Sequence, residues 1–160
     1  MWLLPYNEGM NKKCVKVGGC CAVLFLVIIL PALVIGKGRL FMNADFNSQQ
    51  IPFNILCNKA IKNGEYFWNW NTDLGSNFIA SYSFYNIGSP FFWIMLLVPS
   101  KYVVYAMGPL LVLKFMVSGC SSYLYLSQYV KNGYLAAIGA VLYTFSGFTF
   151  SNLFYNHFMD

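Results

Sequence analysis

The feature that most constrains this chain is an uncharged, apolar run that covers residues 17–36. A membrane-spanning helix needs about 20 such residues, because a bilayer has a thick hydrocarbon core. A cleaved signal peptide is the alternative, but its apolar region has only about 7–15 residues and ends at small residues. This run is too long, and Val34-Ile35-Gly36 makes a poor cleavage site. We therefore expect an uncleaved first membrane helix, kinked at Pro31.

The composition is that of a membrane protein rather than a soluble one. Charged residues make up 9% of the chain and hydrophobic residues 58%, whereas soluble domains carry about 25% charged residues. We therefore expect an all-α integral membrane protein. The net charge of +5 comes from scattered basic residues. Because they form no dense basic stripe, nucleic acid is excluded as a partner, and membrane lipids are favoured.

The sequence after the first helix divides into a long polar loop and two further apolar spans. Residues 102–126 and 134–154 predict the second and third membrane helices, and Gly139 and Ala140 suit close helix contacts. A short amphipathic helix is predicted over residues 52–63, with Asn54, Asn58 and the lysines largely opposite its apolar face. It is expected to lie on the membrane surface, with a soluble subdomain as the alternative.

Charge gives the expected topology. Lysines are denser before the first helix than after it, which favours a cytoplasmic N-terminus. The predicted order is a cytoplasmic N-terminus at 1–16, a helix at 17–36, an extracytoplasmic loop at 37–101 with interfacial segments at 52–63 and 89–99, a helix at 102–126, a cytoplasmic turn at 127–133, a helix at 134–154 and a further extracytoplasmic segment from 155–160. The abrupt ending leads us to expect the first part of a longer protein.

Asp45 is the strongest candidate for a catalytic residue. It opens the segment DFNSQQIPF, a few residues beyond the first helix and so at the membrane surface. A carboxylate there is well placed to take a proton from a hydroxyl group of a substrate on the water side. The alternatives are a helix N-cap or a solvated loop acid.

Aromatic and amide side chains alternate in the segment FWNWNTDLGSNF that follows. Trp68 and Trp70 offer stacking surfaces, and Asn69 and Asn71 offer hydrogen bonds, a combination that suits a sugar ring. The alternative is a belt of aromatic residues at the membrane–water interface. Gly75 permits a tight turn in this segment.

Two polar features lie in or near the apolar spans. Lys114 is close to the centre of the second span, where it could meet a lipid phosphate or a carboxylate, or else snorkel toward an interface. His157 and Asp160 share a face of a continued third helix and could bind a metal or phosphate, although a polar interfacial cluster fits two residues better. The cysteines within apolar spans, Cys20, Cys21 and Cys120, are interpreted as packing residues.

These residues together resemble the YfhO-type bacterial membrane protein family, which belongs to the GT-C class of polytopic glycosyltransferases. The resemblance runs from the first helix to the C-terminus. It rests on the order of DFNSQQIPF, Trp68, LGSNF, Tyr82 and Tyr85, SPF at 89–91, Leu113-Lys114, Ser146-Gly147 and His157…Asp160. Gln50 and Asp73 depart from the family pattern, which affects the assignment of subfamily and substrate.

The resemblance implies an inverting glycosyltransferase in the bacterial cell membrane, with many further helices beyond this chain. It implies a polyprenyl-phosphate sugar donor, a cell-envelope polymer such as a teichoic acid as acceptor, and Asp45 as the catalytic carboxylate. We identify no cofactor, and a divalent metal is compatible with the reaction. The substrate-binding residues we expect are Gln49, Trp68, Trp70, Asn77, Tyr82, Lys101, Lys114 and His157.

Two other classes of function remain open from the sequence. In a membrane transporter or lipid flippase, Lys114 would line a pathway together with further helices. In a non-catalytic envelope-assembly protein, the aromatic loop would bind another protein.

Overall fold

The structure is a computed structural model that describes residues 8–72 and 74–159. The side chains of Glu8, Asn156, His157 and Phe158 lie outside that description. The chain divides into two compact units. Unit 1 comprises Met1–Ile28 with Val112–Phe150, and unit 2 comprises Ile29–Leu111 with Ser151–Asp160.

The described residues are mostly helical, with one small β-hairpin. The α-helices are α1 Glu8–Ile35, α2 Ile51–Lys62, α3 Phe78–Tyr82, α4 Pro90–Met95, α5 Val103–Tyr129, α6 Gly133–Thr144 and α7 Gly147–Ser151. Two π-helical turns cover Phe46–Gln50 and Ser83–Ile87, and 3₁₀ segments cover Ser100–Tyr102 and Asn152–Met159. The antiparallel strands are β1, Trp68–Asn69, and β2, Ser76–Asn77.

Within the described part of the chain, three helical segments are long and apolar enough to cross a membrane, which confirms the predicted all-α membrane class. They are Gly9–Ile35, Ser100–Tyr129 and Gly133–Tyr155. The first helix starts nearer the N-terminus than the apolar run does, because the lysine-rich segment before Val17 contains no proline and continues the helix. The third segment is interrupted: α6 ends at Thr144, Phe145 has φ −100° and ψ 27°, and α7 starts at Gly147.

Small residues allow α1 and α5 to approach closely within unit 1. A methyl group added at Gly18 would lie 2.3 Å from the Cys120 Sγ and 2.8 Å from the Met116 carbonyl oxygen. The Cys120 thiol donates to the Cys14 carbonyl oxygen at 3.3 Å, and the Cys14 thiol lies 3.7 Å from the Cys120 carbonyl oxygen. Close approach through small residues is how helices associate in lipid, where apolar side chains gain little by leaving it.

The packing predictions for the small residues are largely confirmed. Cys21 is buried, and it lies so close to Gly119 that a methyl group there would be 2.7 Å from its Sγ. Ala140 is buried, and a methyl group on Gly139 would lie 2.9 Å from Leu126. The prediction was wrong for Cys20, which is exposed.

We predict that Gly18→Ala destabilises the protein by about 1–3 kcal/mol, because the added methyl group overpacks the contact between α1 and α5. Gly19→Ala is the matched control, since a methyl group there meets nothing within 4 Å. It should be neutral or slightly stabilising, because alanine favours a helix over glycine. The free energy of unfolding of each purified variant in mixed micelles measures both effects. Equal effects of the two substitutions would contradict the close contact.

The core of unit 2 is built on α2. Cys57 and Ala60 pack with Phe78, Tyr82 and Phe92. Burial raises the pKa of the Cys57 thiol to about 12, so the thiol is neutral at physiological pH. Cys57 is therefore a packing residue and not a candidate nucleophile.

The expected polar face of α2 is only partly exposed, because its two asparagines are buried. Asn58 is fully buried, and its amide donates to the Met95 carbonyl oxygen at 2.8 Å and to the Val98 carbonyl oxygen at 3.2 Å. Its own oxygen accepts from the Ser100 hydroxyl at 2.7 Å. Asn54 is also buried and donates to the Gln50 carbonyl oxygen. The helix predicted over 52–63 is present, and Lys59 and Lys62 are exposed as expected. The placement of Asn54 and Asn58 on an exposed polar face was wrong, because these amides pair with main-chain groups inside unit 2.

Candidate functional site

Asp45 directly follows a turn with a strained backbone. Ala44, the residue before it, has a φ of 56°, in the left-handed region. A residue with a Cβ pays about 1–2 kcal/mol for that conformation. Two side-chain hydrogen bonds stabilise this turn. The Met42 main-chain amide donates to the Asn47 Oδ1 at 3.0 Å, and the Ser48 hydroxyl donates to the Ala44 carbonyl oxygen at 3.3 Å. Backbone strain of this kind often accompanies functional residues.

Asp45 itself is half-buried at the start of the π-helical turn Phe46–Gln50. It occupies the capping position, but its side chain makes no capping hydrogen bond. The interpretation of Asp45 as a helix cap is therefore wrong. Phe46 and Gln50 are buried and anchor the turn on either side of Gln49.

The C-terminal segment packs against the same turn. Asn152–Met159 contacts both π-helical turns, Phe46–Gln50 and Ser83–Ile87. His157 belongs to this segment by its backbone, so the structure brings its main chain near the Asp45 turn. The His157 side chain, Asp73 and Asp160 lie outside the described residues, and the predictions that fall on them are not addressed by the structure.

A cleft with an aromatic and polar lining begins at Gln49. We call it the tyrosine cleft, and it has a volume of about 450 Å³. It brings together Gln49 and Tyr82, two of the expected substrate-binding residues. Its lining is Gln49, Pro52, Phe53, Leu56, Asn71, Thr72, Ser81, Tyr82 and Tyr85. A few amide and hydroxyl groups over an apolar floor are what a site for a polar ring compound requires.

A second cleft, which we call the amide cleft, adjoins the first along α2. It has a volume of about 490 Å³ and shares Pro52, Leu56 and Asn71 with the tyrosine cleft. Its remaining lining residues are Ile55, Lys59, Ala60, Asn63, Glu65 and Asn69. Sequence reasoning missed Lys59 and Glu65 as site residues. The only signal available was the helical spacing of Lys59 and Asn63, which is also typical of any solvated face.

The hairpin separates the indole and amide side chains that the sequence suggested would act together. Trp68 and Trp70 lie on one face, with ring centroids 5.7 Å apart, and both are exposed. Asn69 points the other way and is 1% exposed. Successive residues of a strand face opposite sides, so Trp68, Trp70 and Asn69 cannot hold one sugar ring as a single set.

Asn69 is the centre of a hydrogen-bond chain that orders this loop. Its Nδ2 donates to the Glu65 Oε2 at 2.6 Å, and its Oδ1 accepts from the Asn71 amide at 2.8 Å. The Thr72 hydroxyl lies 3.4 Å from the Asn69 Oδ1 and 2.9 Å from the Tyr82 hydroxyl oxygen. The chain therefore links the walls of both clefts.

The other expected binding residues lie elsewhere. The Asn77 Oδ1 accepts from the Ala80 amide at 2.9 Å and caps α3, which gives Asn77 a structural role. The ammonium group of Lys101 lies 4.8 Å from the centroid of the Tyr102 ring. Lys114 is 3% exposed on α5, in unit 1. Its burial contradicts the snorkelling alternative, which requires an exposed side chain.

A basic cleft that sequence reasoning missed lies where the chain leaves α1. Lys37 and Arg39 line it together with Ala32, Ile35, Gly36 and Phe41, and its volume is about 450 Å³. The Arg39 guanidinium lies 5.7 Å over the Tyr105 ring. The turn is tight, because a methyl group on Gly36 would lie 2.0 Å from the Arg39 carbonyl oxygen. This arrangement of two cations near an apolar helix end is compatible with a lipid phosphate.

Metal ligands do not gather in the described part of the chain. Among residues 8–72 and 74–159, no group of three His, Cys, Asp or Glu side chains could hold an ion.

We predict that Gly75→Ala disrupts the hairpin more than Gly64→Ala does. Both glycines have left-handed φ angles, 98° and 81°. A methyl group at Gly75 would also lie 2.8 Å from the Trp70 ring, whereas at Gly64 it meets nothing within 4 Å. Limited proteolysis of the segment 65–78 should therefore be faster in Gly75→Ala. Equal protection of the two variants would contradict the indole packing over Gly75.

Comparison with known proteins shows a family match. The model of the family described as "Bacterial membrane protein YfhO" matches residues 20–160. No curated protein and no solved structure matches the chain. The family match covers far more than half of the sequence and agrees with the three apolar helices. The chain belongs to the YfhO family of bacterial membrane proteins.

Proposed function

We propose that this chain provides the acceptor-activating part of a membrane glycosyltransferase. The enzyme would transfer a sugar from a polyprenyl-phosphate carrier to a cell-envelope polymer, such as a teichoic acid, on the outer face of the membrane. One observation carries the proposal. A half-buried carboxylate, Asp45, makes no capping bond and sits four residues before Gln49, which lines the tyrosine cleft.

Asp45 acts as the general base in this proposal. The acceptor hydroxyl gives its proton to the Asp45 carboxylate as its oxygen bonds to the anomeric carbon of the donor sugar. The bond from that carbon to the phosphate oxygen breaks, and the polyprenyl phosphate leaves with the electron pair. Displacement from the opposite side inverts the anomeric centre. The left-handed turn at Ala44 holds the base ready for this step.

The leaving phosphate needs positive charge nearby. Lys37 and Arg39 suit this role better than Lys101, because they line one cleft at the end of an apolar helix. They also precede Asp45 by only a few residues. Lys114 keeps a proposed role deeper in the membrane, where a buried cation marks a site of function by default.

The sugar would be held by the tyrosine cleft. Tyr85 and Phe53 provide ring surfaces, with centroids 5.3 Å apart, and Gln49, Asn71 and Ser81 provide hydrogen-bonding groups. The exposed Trp68 and Trp70 would contact a longer acceptor, or the membrane interface, outside the cleft. Because the proposed acceptor lies on the outer face, the loop must face outward. The N-terminus, on the other side of the first membrane helix, must then be cytoplasmic.

We predict that Asp45→Asn lowers sugar transfer by about 10²–10⁴-fold, because the amide cannot accept the proton. The protein should fold normally, since Asp45 makes no capping bond. The assay measures transfer from a polyprenyl-phosphate sugar by the full membrane protein in proteoliposomes. Normal transfer by a well-expressed Asp45→Asn variant would contradict the assignment.

Glu65→Gln is the discriminating comparison, because Glu65 is the carboxylate of the amide cleft. Its oxygen already accepts from Asn69, and glutamine can keep that hydrogen bond. Measurable transfer is therefore expected to survive. Loss of transfer in Glu65→Gln with full transfer in Asp45→Asn would identify Glu65 as the base.

Two other outcomes would favour another class of function. Substrate movement without covalent transfer would favour a transporter or flippase, and a copurifying protein without donor binding would favour an assembly role.

A further inference from the structure

Three lysines from distant parts of the sequence line one cleft in unit 1. Lys13 and Lys16 come from the first turns of α1, and Lys131 comes from the turn between α5 and α6. We call this the lysine cleft, and its volume is about 610 Å³. The other lining residues are Val17, Tyr123, Asn132, Gly133, Tyr134 and Ala137. None of these lining residues is acidic, so the cleft is strongly positive.

Polar groups from α1 and α5 lie close to Gly133 in this cleft. A methyl group on Gly133 would lie 3.5 Å from the Lys13 Nζ and 3.6 Å from the Tyr123 hydroxyl oxygen. Tyr123 is 2% exposed, so packing fixes its position. An ammonium group and a phenol hydroxyl therefore border the same spot from α1 and α5.

The turn that carries Lys131 is ordered as well. The Asn132 Oδ1 accepts from the Tyr134 amide at 2.9 Å and caps the 12-residue helix α6. The positive end of the α6 dipole therefore borders the same cleft and adds to the field of the lysines. An anion in the cleft would meet three ammonium groups and this helix end.

Apolar surface next to the cleft points to a lipid. Val17 and Ala137 belong to the lining, and Tyr134 is 85% exposed beside them. Lys16 directly precedes the uncharged run that starts at Val17, so the cations lie at the level of lipid headgroups. A free phosphate ion would use only the polar half of such a site, whereas a phospholipid would use both halves.

We propose that the lysine cleft binds the headgroup of an anionic phospholipid, and that a lipid with two phosphodiester groups binds best. Three lysines exceed the charge of a single phosphodiester, and two phosphodiesters match it more closely. The acyl chains follow the apolar surfaces of α1 and α6. This site is independent of sugar transfer and uses none of the residues assigned to it.

The test measures lipid binding to the full chain, purified in a neutral detergent, by native mass spectrometry. The probes are diphosphatidylglycerol, phosphatidylglycerol and phosphatidylcholine. We expect one saturable site with affinity in that order. Each of Lys13→Gln, Lys16→Gln and Lys131→Gln should weaken diphosphatidylglycerol binding about 5-fold, the contribution expected of a lysine beside an anionic lipid.

Two variants separate a built site from diffuse attraction. Lys12→Gln removes the same charge one residue away, but Lys12 does not line the cleft, so binding should change less than 2-fold. Gly133→Leu keeps every lysine and fills the cleft, so binding should fall about 10-fold. Circular dichroism checks that each variant folds, and Lys13→Arg should retain binding.

Three outcomes would overturn the proposal. Equal losses in Lys12→Gln and Lys13→Gln would mean that the lysines attract lipid diffusely. Unchanged binding in folded Gly133→Leu would place the lipid elsewhere. Displacement of the lipid by millimolar glycerol phosphate or inorganic phosphate would identify a soluble phosphate as the occupant.

Discussion

Hydrocarbon offers no water to a main-chain amide, and this constraint determines where the chain can be irregular. The described apolar spans are helical for most of their length, and the left-handed and π-helical turns near Asp45 lie in polar sequence. The interruption of the third span at Phe145 is the exception. The strained backbone near Asp45 therefore lies where water or protein can satisfy its polar groups.

Within unit 2, a few buried amides order the polar loop around the apolar core that is built on α2. Asn58 holds the segment after α4 through three hydrogen bonds, and Asn69 holds the hairpin through its contacts with Glu65 and Asn71. Buried amides of this kind are costly unless every group is paired. Their pairing explains why a loop with many exposed aromatic side chains still forms two defined clefts.

The sequence was sufficient to predict the membrane class, because apolar length and charge depletion are properties of single segments. It also led us to expect Gln49 and Tyr82 as binding residues, and the structure brings these two side chains into one cleft; their role stays a prediction. It failed for Asn58, whose spacing placed it on a polar face, because helical periodicity cannot show that a neighbouring segment covers that face. It did not predict the cleft lined by Lys37 and Arg39, since that cleft adjoins a tight turn at Gly36 that no local sequence pattern indicates.

Asp45 and Glu65 are the two described acidic residues of unit 2, and they differ in how much each side chain contributes to the stability of the fold. This difference favours one of them as the general base. The Glu65 carboxylate accepts from the amide of buried Asn69, so its oxygen is engaged in holding the hairpin. Asp45 stands at a capping position without capping, after a residue held in a strained conformation. A strained residue directly before a carboxylate that makes no capping bond favours the proposal that Asp45 serves chemistry rather than stability. For that reason we propose Asp45 rather than Glu65 as the base, and we interpret Glu65 as a residue that orders the clefts.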